Sequence, residues 1–316
     1  MTSGSEHVEQ PAGRAPRSAF GARLLGFGEV LADDGTVLKV WTNDPDHHLE
    51  GPTVVLCNGL GTGPFAWPGF FLSNPAIRVV SWYHRGVRGS ERPKDVNAVD
   101  VATFATDALS VMDHFGLDRA VLVGWSIGVN TMYEVATIHP ERVSGLFAVC
   151  GVPGDTFATM LEPFRVPRPA ARALTRTVSR VIRDLGSLLT PISTRLPTGP
   201  LAVKLISHTG VMLPVANEEL TSHALAEFLT TPLDWYFHLA LRTSEHPRVS
   251  LSKIEAPAFF VAGRYDLLTG ARAMRSAAER MREATFVILP ASHFLPMERP
   301  DVVNALLAEF VAEVER

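Results

Sequence analysis

The sequence predicts an α/β fold with a mainly parallel sheet. Three observations carry this: short apolar runs ending in glycine or small residues, amphipathic stretches of helical length between them, and one long helical interruption of that rhythm. The 316 residues are 46% hydrophobic and 20% charged, ordinary globular usage that excludes wholesale disorder. Twenty-nine basic against thirty-three acidic residues give a net charge of −4, with no global attraction for nucleic acid. The two cysteines, Cys57 and Cys150, lie in apolar runs and cannot build a disulfide framework or a cysteine-rich zinc site. A reducing, cytoplasmic setting is the expectation.

Residues 1–18 read as a polar, flexible tail without the apolar stretch of a secretory signal. Phe27–Leu31 and Thr36–Thr42 flank Asp33, Asp34 and Gly35, the turn chemistry of a hairpin. Pro52–Leu60 and Ile77–Tyr83 suit strands covered on both faces. Val101–Phe115 has helical periodicity, with Asp100 to cap it and Gly116 to end it. Ala120–Val123 and Val143–Cys150 read as strands on either side of a helix at Ile127–His139, which Pro140 closes. Further on, Ala258–Ala262 and Thr285–Leu289 are expected strands, and Thr269–Arg282 and Pro300–Glu315 expected helices. The domain reading is therefore a core of residues 19–153 and 254–316 and a helical cap or lid of residues 154–253.

Gly124-Trp125-Ser126-Ile127-Gly128 joins a strand to a helix. A sharp, strained turn there pushes the serine hydroxyl out of the sheet's end, and the glycines leave room for the close strand–helix approach. Ser126 is the candidate nucleophile; the bland alternative is a helix N-cap. A hydroxyl attacks well only beside a base, which needs a third group to orient it. Of eleven histidines, His293 is selected by its place just after the last strand, with His84 as rival. Asp266, after the preceding strand, is the candidate orienting acid, with Asp155 as substitute.

The elbow and the order Ser126, Asp266, His293 resemble the α/β-hydrolase fold superfamily, over about residues 25–155 and 255–316. The resemblance puts Asn58-Gly59-Leu60-Gly61 at the oxyanion loop, with asparagine for the usual histidine. It implies that the N–H groups of Leu60 and Ile127 form the oxyanion hole. Arg85-Gly86-Val87-Arg88-Gly89-Ser90 is similar to a structural turn of the family, with Tyr83 replacing an aspartate and Arg88 a glycine. A serine at the elbow, rather than the aspartate of haloalkane dehalogenases and most epoxide hydrolases, implies an acyl-enzyme route. The resulting expectation is a carboxylesterase-like serine hydrolase cleaving an ester or thioester with an apolar acyl or alcohol part. Carbon–carbon bond hydrolases, acyltransferases and perhydrolases share the triad, and a non-catalytic ligand-binding protein is the reading from another class. No cofactor or metal is called for: H-E-x-x-H, G-x-G-x-x-G and Walker patterns do not occur.

Phe65, Trp125 and Trp235 are the expected walls of an apolar pocket. In the cap, Arg172, Arg176, Arg180 and Arg183 share one helical face and Leu174, Val178, Val181, Leu185 and Leu188 the opposite one. From Glu162 to Lys204, seven arginines and one lysine face two acids, a net of +6. The expected arrangement is a solvated basic face and an apolar face roofing the pocket. The alternatives are a weak contact with an anionic membrane, which would make the protein peripheral to a membrane, or attraction of an anionic group such as the phosphates of a coenzyme A thioester.

Overall fold

In the computed structural model, which describes residues 25–72 and 77–316, eight strands form one sheet in the order β1-β2-β4-β3-β5-β6-β7-β8. The expected tail at residues 1–18 lies outside the described residues. The strands are β1 (Gly26–Leu31), β2 (Val37–Thr42), β3 (Thr53–Cys57), β4 (Arg78–Trp82), β5 (Ala120–Trp125), β6 (Val143–Val149), β7 (Ala258–Gly263) and β8 (Ala284–Leu289). β1 and β2 pair as the expected hairpin and β2 meets β4 antiparallel; every later pairing is parallel.

The helices of the core are α1 (Gly69–Leu72), α2 (Val101–His114) and α3 (Ile127–Ile138), with three more toward the C-terminal end. Between β6 and β7 come α4 (Arg168–Asp184), α5 (Gly186–Ser193), α6 (Pro200–Ile206), α7 (Glu218–Leu229) and α8 (Leu233–Ser244). After β7 follow α9 (Ala271–Ala278), α10 (Leu295–Glu298) and α11 (Pro300–Val314). α9 is shorter than the Thr269–Arg282 expected, because the Thr269 N–H is taken by the Asp266 carboxylate at 2.7 Å and turns and bends follow Ala278.

Hydrophobic clusters lie on both faces of the sheet, which is why the central strands read as unbroken apolar runs. Every residue of β5 is buried. α2 starts where the sequence puts it, with the Asp100 side chain accepting from the Thr103 N–H at 2.9 Å. Parallel strands ending at one edge bring the loops after β5, β7 and β8 together.

The turn after β4 is anchored by a buried ion pair. Arg85 Nη2 lies 2.7 Å from Asp107 Oδ1 on α2, and its Nη1 also reaches Asp34 of the first hairpin. Burial pushes the Asp107 carboxyl up to about 6, even though the Arg85 guanidinium pulls the other way. Replacing Arg85 with Met strands that carboxylate, and should cost about 3–5 kcal/mol in urea titrations at neutral pH. The folded-state pKa of Asp107 already exceeds its unfolded value, and losing the cation raises it further. A proton can then replace the missing charge, so the deficit should shrink as pH falls below the raised pKa.

Candidate active site

The elbow has the strained geometry its sequence predicts. Ser126 sits between β5 and α3 at φ 57° and ψ −119°, a region non-glycine residues seldom occupy. A Cβ on Gly128 would lie 1.8 Å from the Cys57 carbonyl oxygen, and one on Gly124 would lie 2.8 Å from the Val129 Cα. Glycine at 124 lets β5 lie close to α3, and glycine at 128 lets α3 lie close to the end of β3.

His293, between β8 and α10, reaches the elbow from the expected loop. Its Nε2 is 2.9 Å from Ser126 Oγ, and its Nδ1 is 2.9 Å from Asp266 Oδ2. Asp266 is buried, and its Oδ1 accepts the N–H groups of Leu268 and Thr269, both at 2.7 Å. Those bonds fix the carboxylate, which in turn fixes the ring. The rivals stand elsewhere. His84 is buried against the Phe104 ring, and burial lowers it to about 4. Asp155 pairs with Arg172 at 2.6 Å.

The structure corrects one part of the sequence reading. Cys150, assigned there only to the core, follows β6 and joins the cluster. Its Sγ, an Asp266 carboxylate oxygen and a His293 ring nitrogen all lie within 4.8 Å of one another. A cysteine–histidine–aspartate grouping is itself a nucleophilic constellation, so the Asp–His pair does not by itself define a serine hydrolase. The same three side chains are the one group among the described residues with metal-ligand spacing.

The two nucleophilic groups have different surroundings. Cys150 is fully buried, and burial together with Asp266 pushes its thiol well above the usual range. Its S–H is directed at the Ser292 carbonyl, 3.7 Å away. Ser126 instead lies on the wall of a cavity of about 330 Å³. The cavity also takes in Leu60, Trp125, Ile127 and His293 from the core.

Asn58, the departure from the family's histidine, braces the loop before the cavity. Its side chain accepts from the Gly59 N–H at 2.9 Å and the Trp67 Nε1–H at 3.0 Å, and donates to the Gly63 carbonyl at 3.1 Å. Ile127 opens α3, so its N–H has no intrahelical acceptor. Behind the imidazole, buried Glu298 accepts the Ser292 N–H at 2.8 Å and, through its other oxygen, the Leu213 N–H at 2.8 Å. Leu213 belongs to the segment between α6 and α7. Sequence reading missed Glu298, whose only signal was a carboxylate five residues after the histidine.

Two expected pocket walls are not on the cavity. Trp235 is turned away from it: its Nε1–H donates to the Arg85 carbonyl at 2.9 Å, and Arg92 stacks over its ring. Helical geometry presents the next residue, Tyr236, to the cavity instead. Phe65 packs beside His223 with ring centroids 5.2 Å apart, and is likewise not a lining residue. The cap supplies Phe228 from α7 and Met212 from the preceding segment.

The cap helix α4 also differs from expectation. It contributes nothing to the cavity wall, whose cap helices are α6, α7 and α8, because α4 lies outside α8. Three of its four face arginines are committed to carboxylates: Arg172 to Asp155, Arg176 to Glu245 and Arg183 to Asp184. Leu174, Val178, Val181 and Leu185 are exposed rather than roofing the pocket.

Comparison with known proteins agrees with this architecture. Residues 52–190 match the family model described as alpha/beta hydrolase fold. Epoxide hydrolase A of Mycobacterium tuberculosis is 27% identical, over 84% of this chain and 91% of that protein. A thermophilic esterase from Thermogutta terrifontis superposes with a TM-score of 0.68 at 19% identity, covering 92% of this chain and all of the other. The enol-lactonase from Burkholderia xenovorans LB400 gives 0.67 at 21% identity, covering 90% and 100%.

Filling the cavity should separate its true wall from its support. Phe228→Trp is expected to weaken binding of an apolar fluorescent probe. Trp235→Phe should leave probe binding unchanged while lowering stability by about 1–2 kcal/mol through the lost bond to Arg85.

Proposed function

We propose that this member of the α/β-hydrolase fold superfamily hydrolyses small, largely apolar ester-type molecules, with His293 as general base and Asp266 holding it in orientation. The observation that carries this reading is the continuous run from Asp266 through His293 to Ser126, opening on an apolar cavity beneath the cap.

Of the two nucleophilic side chains beside the pair, Ser126 fits the chemistry better. Its oxygen is within reach of Nε2 and faces the space where a carbonyl would sit. His293 takes the hydroxyl proton as Oγ attacks. The N–H groups of Leu60 and Ile127 would receive the oxyanion; each such donor is commonly worth about 3–4 kcal/mol in the transition state. His293 then protonates the leaving alcohol, and water, deprotonated by the same ring, releases the acid.

Ester-type substrates suit this site better than epoxides, despite the likeness to an epoxide hydrolase. A serine oxygen opening an epoxide would form an ether, which water at this site would not hydrolyse. An acyl ester on the same oxygen is hydrolysable.

A second reading places the nucleophile at Cys150, favoured by its position beside Asp266 and His293. Its protonated, enclosed thiol weighs against that reading. Fluorophosphonate labelling followed by peptide mass spectrometry, together with p-nitrophenyl ester turnover, separates the two. Ser126→Ala should remove the label and cut kcat by about 10³-fold or more, whereas Cys150→Ala should keep most of the activity. The reverse pattern would move the nucleophile to Cys150. No turnover of any ester by folded wild-type protein would end the hydrolytic reading.

A further inference from the structure

The outer side of the cap is more apolar than a solvated helix layer should be. On α4, Leu174, Val178, Val181 and Leu185 recur at i, i+4, i+7 and i+11, and all are exposed. The stripe runs on through α5 and α6, where Leu188 is 71% and Leu201 72% exposed, with Ile192 and Leu205 also open. Scattered surface leucines need no explanation, but a run on three consecutive helices marks a contact surface.

The charge around this face indicates its partner. The segment from Glu162 to Lys204 carries +6 in a chain of −4. Both of its acids are occupied: Asp184 pairs with Arg183, and Glu162 accepts the Arg272 N–H at 3.1 Å. Arg165, Arg180, Arg195 and Lys204 are exposed and make no ion pair with any described residue. No helix among the described residues is long and apolar enough to cross a membrane.

We propose that the outer face of α4, α5 and α6 docks onto an anionic lipid bilayer. The exposed leucines and valines enter the boundary between headgroups and acyl chains, while the uncommitted arginines and lysine reach lipid phosphates from long, flexible stems. A second copy of the chain fits the face less well, because a two-fold pairing would bring the same cations together. α6 belongs to both surfaces: Val203 and Ile206 line the cavity, while Leu201 and Leu205 face outward. Docking therefore sets one wall of the cavity directly over the lipid.

Flotation of the full chain with phosphatidylcholine vesicles, with and without phosphatidylglycerol, tests this without any turnover, so it stands apart from the catalytic reading. The wild type should float only with phosphatidylglycerol vesicles, and less at high salt. Leu188→Glu combined with Leu201→Glu should lower the partition coefficient by about tenfold or more, with an unchanged melting temperature. Arg180→Gln combined with Lys204→Gln should weaken flotation at low salt most. Equal recovery on both vesicle types, or no effect of either double variant, would overturn the proposal. So would absent flotation alongside a dimer in sedimentation that the leucine variants dissolve, which would assign the face to a second copy.

Discussion

The backbone at Ser126 is the constraint on which the rest of the site depends. A serine held at φ 57° is strained by about 1–3 kcal/mol, and persists only where its surroundings leave no alternative. Those surroundings are the fully buried β5 and the close approach of α3, through its Gly128, to the Cys57 carbonyl at the end of β3. The Ser126 N–H donates to the Val149 carbonyl at 3.1 Å, and its own carbonyl accepts from the Val129 N–H at 3.1 Å. The hydroxyl is thus aimed before any ligand arrives. The imidazole and carboxylate have only to be carried to the same edge by β7 and β8.

Such an arrangement is legible in sequence because it is one-dimensional. Parallel strands end at one rim, so a residue just past a strand declares its position. That logic locates Ser126, Asp266 and His293, but it admits His84 as well, which also follows a strand and is set aside only by its burial against Phe104. It fails for Cys150. An apolar run ending in cysteine reads as core, and the run is indeed buried, but the last residue of that run neighbours Asp266. The place of Cys150 just past β6 was the available signal, and the apolar run before it masked that signal.

The cap was legible as helices but not as an orientation. Periodicity separates the arginine and leucine faces of α4 correctly, yet says nothing about which one meets the protein. The usual rule, apolar inward, gives the wrong answer because the stripe that meets the protein is a third one of small residues: Ala171 and Ser179 are buried, while Arg172 and Leu174 are both exposed. The same limit explains Trp235 and Tyr236. Adjacent aromatics on a helix point about 100° apart, and only the placement of α8 decides which one the cavity receives.

Glu298 links these two halves of the molecule. One of its oxygens holds the Ser292 backbone, immediately before the imidazole, and the other holds the Leu213 backbone in the cap. The Ser292 hydroxyl donates to the same oxygen that takes the Leu213 N–H, so the carboxylate is anchored through both oxygens to the loop that carries His293. The roof of the chamber therefore leans on the same loop that presents the base, while the aim of the ring itself stays with Asp266.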